Sequence, residues 1–229
     1  MNKGIRKDSD SKKIFAMIVM IATLMVCTTS ATYAYFALAP VSNNTITGTA
    51  ASASLTLAVN RIAPSTSKWS ASTQKMVPQL DTVLGTAMND TNSCVDGNTN
   101  VVCQVYEVTL TNGSTAQVVV NGTITFTGVS SMANLKWRLY KSSTAKLTTA
   151  QAATNLGSAT TTAITNDAAV ELDTSLSLKK NGTTGYQQYY YLVVWINETG
   201  SAQTDSGTYR ATINFTSSNG TGVTSTITT

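Results

Sequence analysis

Two cysteines, Cys94 and Cys103, are the residues of this 229-residue sequence best placed for covalent chemistry. They stand nine positions apart in Cys94-Val95-Asp96-Gly97-Asn98-Thr99-Asn100-Val101-Val102-Cys103. Asp96-Gly97-Asn98 is turn chemistry: Asp and Asn side chains bond their own backbone, and glycine accepts positive φ. The flanks can fold back as a short hairpin and bring the sulfurs together. Two free buried thiols and half of a zinc site are the alternatives. A structural zinc needs four ligands, and the chain has no histidine and only one further cysteine, Cys27, in an apolar N-terminal run. The spacing predicts a Cys94–Cys103 disulfide, a bond that persists outside the cytosol.

Other chemistry finds little footing. Without histidine there is no Ser-His-Asp or Cys-His arrangement, no HExxH zinc motif and no imidazole base. Glu171 and Asp173 fall on one side of a predicted strand, where they would make either a paired acid or two solvated surface charges. The second reading is favoured. Asp90, Asp96 and Asp205 lie in turn segments but lack the dense Asp/Asn spacing of a calcium loop. No glycine-rich phosphate loop is present. The sequence therefore assigns no catalytic residue, no cofactor and no metal, and the chain is expected not to be an enzyme.

The elements that would position any site begin after an address. Lys3, Arg6, Lys7, Lys12 and Lys13 precede an apolar run, residues 14–27, broken only by Thr23, which gives way to Thr28, Thr29, Ser30 and Ala31. A basic head, apolar middle and small-residue exit make a secretory signal. Thr32-Tyr33-Ala34 fits cleavage between Ala34 and Tyr35, and Thr29-Ser30-Ala31 fits as a second choice. The rival is a retained anchor, but spanning a bilayer takes about 20 apolar residues. Beyond Ala34 stand ten Lys and Arg against nine Asp and Glu, a net charge of +1. Such a surface offers no footprint for nucleic acid, and membrane contact is expected only through the signal before cleavage. Low charge also does little to keep copies apart.

The mature sequence reads as short alternating runs separated by Gly, Asn, Ser and Thr. Leu55, Leu57 and Val59 alternate with polar or small residues, as do Tyr106, Val108 and Leu110. The same holds for Ile124 and Phe126, for Leu135, Trp137 and Leu139, and for Tyr209, Ala211, Ile213 and Phe215. Each run places one face on a core and one in water, as in an antiparallel sandwich. Residues 189–196 are apolar or aromatic on both faces, which predicts a central strand covered on each side. A helix is predicted over residues 147–156, with Thr148 as cap and Gly157 as stop. The expected architecture is a single all-β antiparallel sandwich, jelly-roll or Ig-like, over residues 54–229. It follows a signal (residues 1–34) and an N-terminal segment (residues 35–53).

Ala31-Thr32-Tyr33-Ala34-Tyr35-Phe36, followed by Asn44-Thr45-Ile46-Thr47-Gly48 and Ser54-Leu55-Thr56-Leu57, resembles the start of the TasA/camelysin family of Gram-positive bacteria. The resemblance covers about 25 residues; the remainder agrees in pattern alone. It implies processing by a dedicated signal peptidase of the SipW type and a β-sandwich beyond the cut. It also implies a secreted structural subunit of an extracellular fibre or biofilm matrix at the cell surface, self-associating into filaments. Members lend an N-terminal strand to a neighbouring subunit. Residues 36–53, with apolar points at Phe36, Leu38, Val41 and Ile46, are the segment that would do so, unless they form a first strand in their own sandwich. Camelysin-like members are also classed as metallopeptidases, an activity that this chain, with no histidine and no recognisable metal set, does not inherit. The alternative function is a surface adhesin or binding module presenting turn-borne aromatics such as Trp69 and Tyr186.

Overall fold

The computed structural model describes residues 54–65, 76–89, 92–142, 145–200, 203, 205 and 207–228. Nine strands appear among them: β1 (Leu55–Ala63), β2 (Gln104–Asn112), β3 (Val118–Thr127), β4 (Leu135–Ser142), β5 (Thr162–Ala163), β6 (Ala169–Leu178), β7 (Gln187–Ile196), β8 (Arg210–Ser217) and β9 (Gly222–Thr228). They form two antiparallel sheets, of order β1-β2-β7-β4-β5 and β6-β3-β8-β9. The all-β sandwich expected from the alternation is the observed fold.

The apolar members of the alternating runs meet between the sheets. Tyr106, Val108, Leu110, Ile124, Phe126, Trp137, Leu192, Ile213 and Phe215 are all buried in one cluster. Phe126 lies 5.6 Å from Trp137 and 6.2 Å from Tyr209, ring centre to ring centre, and Tyr190 lies 5.5 Å from Phe215. Tilted aromatic pairs at such distances add to area burial. That burial is worth about 1.5–3 kcal/mol for each fully buried large aliphatic or aromatic side chain. Thr123, Thr125, Thr212, Asn214, Thr224 and Thr226 occupy the outward positions of β3, β8 and β9. This is the β-branched polar face that a water-facing sheet favours.

A second cluster lies on the far side of the five-stranded sheet. A 3-10 turn (Asp81–Val83) runs into α1 (Leu84–Ala87), and α2 (Thr149–Ser158) packs beside it. Leu84, Met88, Ala152 and Leu156 bury Val105, Tyr191, Val193 and Trp195 there. This explains β7. Tyr190, Leu192, Val194 and Ile196 enter the inter-sheet core, while Tyr191, Val193 and Trp195 enter the second cluster. The covered central strand is as its residues predict.

The helical layer also corrects two readings. The alternate residues of β2 and β4 were expected in water, yet Glu107 and Arg138 are 4 % and 7 % exposed, beneath it. Gly157, expected to stop the helix, lies inside α2. A Cβ on Gly157 would come 3.3 Å from the Gly85 Cα, so the glycine serves close approach of two helical backbones. The cap itself is as expected. Thr148 accepts from the Gln151 amide while the Gln151 side chain accepts from the Thr148 amide, a capping box that satisfies two donors.

Candidate functional site

The disulfide loop is a closed hairpin. Val95 bridges Val101 antiparallel, and the Val102 amide donates to the Cys94 carbonyl. Asp96 Oδ1 accepts from the amides of Asn98 (2.9 Å) and Asn100 (2.7 Å), and Oδ2 from Asn100 Nδ2 (3.0 Å). What little burial there is works to raise the Asp96 pKa, but these bonds prevail and hold it below the usual carboxylate range. Cys94 and Cys103 are joined, with their Cα atoms 4.9 Å apart, and both are wholly buried in the second cluster. The expected disulfide is present, and its loop is pinned to the five-stranded sheet.

Two buried ionisable groups on the strands, Glu107 and Arg138, sit in satisfied pairs. Glu107 accepts from Lys146 Nζ at 2.8 Å, and this hydrogen bond raises the lysine pKa. Arg138 spans Asp81, Thr161 and the carbonyls of Leu156 and Gly157, with its guanidinium 5.3 Å from the Trp195 ring. It thereby ties α2 and the 3-10 turn to β4. Gln104 Oε1 accepts from the hydroxyls of Tyr106 (2.6 Å) and Tyr209 (2.5 Å), joining the sheets at one end. Sequence reasoning missed these groups, since Lys146, Asp81 and Tyr209 lie 39, 57 and 105 residues from Glu107, Arg138 and Gln104 and leave no local signal.

The Glu171/Asp173 pair is not a paired acid. Two register shifts opposite Gly122 break the alternation of β6, with Ser175 at φ 53° and its amide bonded to Asn121 Oδ1. The shifts part the two carboxylates. Glu171 stays exposed, whereas Asp173 accepts from the Tyr190 hydroxyl at 2.7 Å and pairs with Lys141. Asp173 thus links β6 of one sheet to β7 and β4 of the other. Asp205 accepts from the Asn134 amide and Nδ2, holding two loops together.

Loops at each end of the sandwich line a groove. One of about 420 Å³ is bordered by Thr115, Gln117, Lys179, Lys180, Thr183 and Thr184. Another of about 340 Å³ includes Ser130, Asn134, Thr199, Gln203 and Asp205. Along the sides, the sheets formed by the described residues end on the edge strands β1, β5, β6 and β9. The cleavage residues Ala34 and Tyr35, the donor points Phe36, Leu38, Val41 and Ile46, and also Trp69 and Asp90, lie outside the described residues. Tyr186 is half-buried in the turn before β7, where its carbonyl accepts from the Asn112 amide. No described helix is long and apolar enough to cross a membrane. Neither protein-family models nor curated proteins give a match to the chain.

Proposed function

We propose that the mature chain is a secreted structural subunit of an extracellular fibre or matrix, assembled when residues 36–53 of one copy complete a sheet of the next. The observation that carries this is the sandwich, open at its edges among the described residues. Its sheets end on edge strands, and residues 36–53 precede one of them, β1, directly. An edge offers a row of unpaired amides and carbonyls. An added strand satisfies them through main-chain bonds, while alternate side chains set the register. A net charge of +1 after Ala34 does little to oppose stacking of copies. The resemblance to the TasA/camelysin family points the same way.

The adhesin reading is favoured by one feature, the loop groove beside Lys179 and Lys180, which suits a small polar ligand. One experiment separates the two. Negative-stain microscopy and light scattering compare the chain of residues 35–229 with that of residues 54–229. Filaments from the first alone are expected. Equal assembly by both removes strand donation, and a lasting monomer that binds a glycan makes the protein an adhesin.

A further inference from the structure

Asparagine followed by glycine can lose ammonia without an enzyme. The glycine amide nitrogen attacks the side-chain carbonyl carbon of the asparagine, a nitrogen–carbon bond forms, the bond to Nδ2 breaks and ammonia leaves. Water then opens the cyclic imide at either carbonyl, giving aspartate or isoaspartate. Glycine favours the attack because no Cβ hinders the close approach. Amide and side chain must both be free to turn towards each other, so a hydrogen bond on either slows the step. The sequence holds four such pairs, at Asn112, Asn121, Asn181 and Asn219. The fold treats them differently.

Asn112 is wholly buried, and its Nδ2 donates to the carbonyls of Ala116 and Lys179, both at 2.8 Å. The Gly113 amide donates to the Ser54 carbonyl at 2.8 Å. Asn121 Oδ1 accepts from the Ser175 amide at 2.8 Å, and Gly122 is held inside β3 between β6 and β8. Asn219 Oδ1 accepts from the Ser217 hydroxyl and the Thr221 amide, while the Gly220 amide donates to the Ser217 carbonyl at 2.9 Å. Asn181 has no such restraint. It is exposed in the turn between β6 and β7, and its side chain bonds no described group. The Gly182 amide likewise has no partner among the described residues, and a Cβ built on Gly182 would meet nothing within 4 Å.

We infer that Asn181 is a site of spontaneous modification, converted to aspartate and isoaspartate by attack of the Gly182 amide and then water, while the other three pairs persist. The inference is independent of the proposed function. Lys179, Lys180, Thr183 and Thr184 flank Asn181 in sequence and border the groove at this end of the sandwich. Conversion sets a carboxylate beside these lysines and cancels the net charge of +1 counted beyond Ala34. The groove then attracts an anionic group less strongly.

The test incubates the whole folded protein at mildly alkaline pH and follows each Asn-Gly pair by peptide mapping and mass spectrometry. Isoaspartate is scored with an isoaspartyl methyltransferase. Conversion at Asn181 is expected to be at least about tenfold faster than at the other three pairs, since breaking about one hydrogen bond first is enough to slow a site by that factor. In urea, where the fold no longer distinguishes them, the four should react at similar rates. A native rate at Asn112, Asn121 or Asn219 equal to that at Asn181 overturns the inference, as does an Asn181 that stays unconverted. A preference for Asn181 that survives in urea places the cause in the local sequence and overturns the structural assignment. Aspartate formed without isoaspartate overturns the cyclic route.

Discussion

At Gly122 the ring of Phe215 leaves no room for a side chain: a Cβ there would overlap Cε1 and Cδ1. The pair faces across β3 and β8, so neither backbone can withdraw without breaking the ladder. Gly122→Ala is expected to cost about 1–3 kcal/mol as overpacking, read as a lower urea midpoint. Phe215→Leu in the same chain should recover part of it, and an unchanged midpoint for the single variant would sink the steric argument. Tyrosines give a second test at this scale. Burial raises the pKa values of Tyr106, Tyr190 and Tyr209, and for Tyr190 the adjacent Asp173 carboxylate adds to it. The folded state therefore holds these protons more tightly than the unfolded chain, whose tyrosines titrate near pH ~10. Their contribution is intact below that value and is lost as pH climbs above it. Tyrosinate absorbance should rise together with loss of circular dichroism. Full ionisation while the fold persists would contradict the burial.

Among the elements, α2 shows how little local sequence decides beyond its ends. The Thr148/Gln151 capping box is visible three residues apart, and Thr148→Ala is expected to cost about 0.5–2 kcal/mol in thermal or urea unfolding. A loss indistinguishable from zero would mean that packing alone holds the first turn. The disulfide hairpin was equally legible, because its turn residues lie between the cysteines. Its stabilisation should stay below roughly 3 kcal/mol, as expected for a loop this short. Cys94 and Cys103 are buried, so alkylation should require reduction and unfolding first. Labelling of the native, unreduced protein would refute the bond. The roles of Gly157 and Arg138 were not legible, since their partners, Gly85 and Asp81, are 72 and 57 residues away.

For the whole molecule, the proposed assembly requires processing first. Protein from the native host should begin at Tyr35 or Phe36 by N-terminal sequencing, and an intact Met1 in the membrane fraction would support the anchor instead. The proposed strand donation needs a freed N-terminus, and residues 36–53 lead in sequence into β1. The sandwich is tied at several points: Asp173 reaches from β6 to Tyr190 and Lys141, Gln104 to Tyr209, and Arg138 to α2. A domain cross-braced in this way can keep its shape while a strand is added at one side.

By itself the sequence determined the alternating strands, the covered central strand, the capped helix and the disulfide. Each depends on a period, or on spacing within about a dozen residues, and local chain geometry enforces both. Tertiary structure alone decided that Glu107 and Arg138 are buried and that Glu171 and Asp173 point apart. It also decided which of the described strands, β1, β5, β6 and β9, lie at the sheet edges. Those outcomes turn on which strands become neighbours and where one extra residue enters a ladder. A single bulge reverses the facing of every residue beyond it, and no local pattern records where it falls.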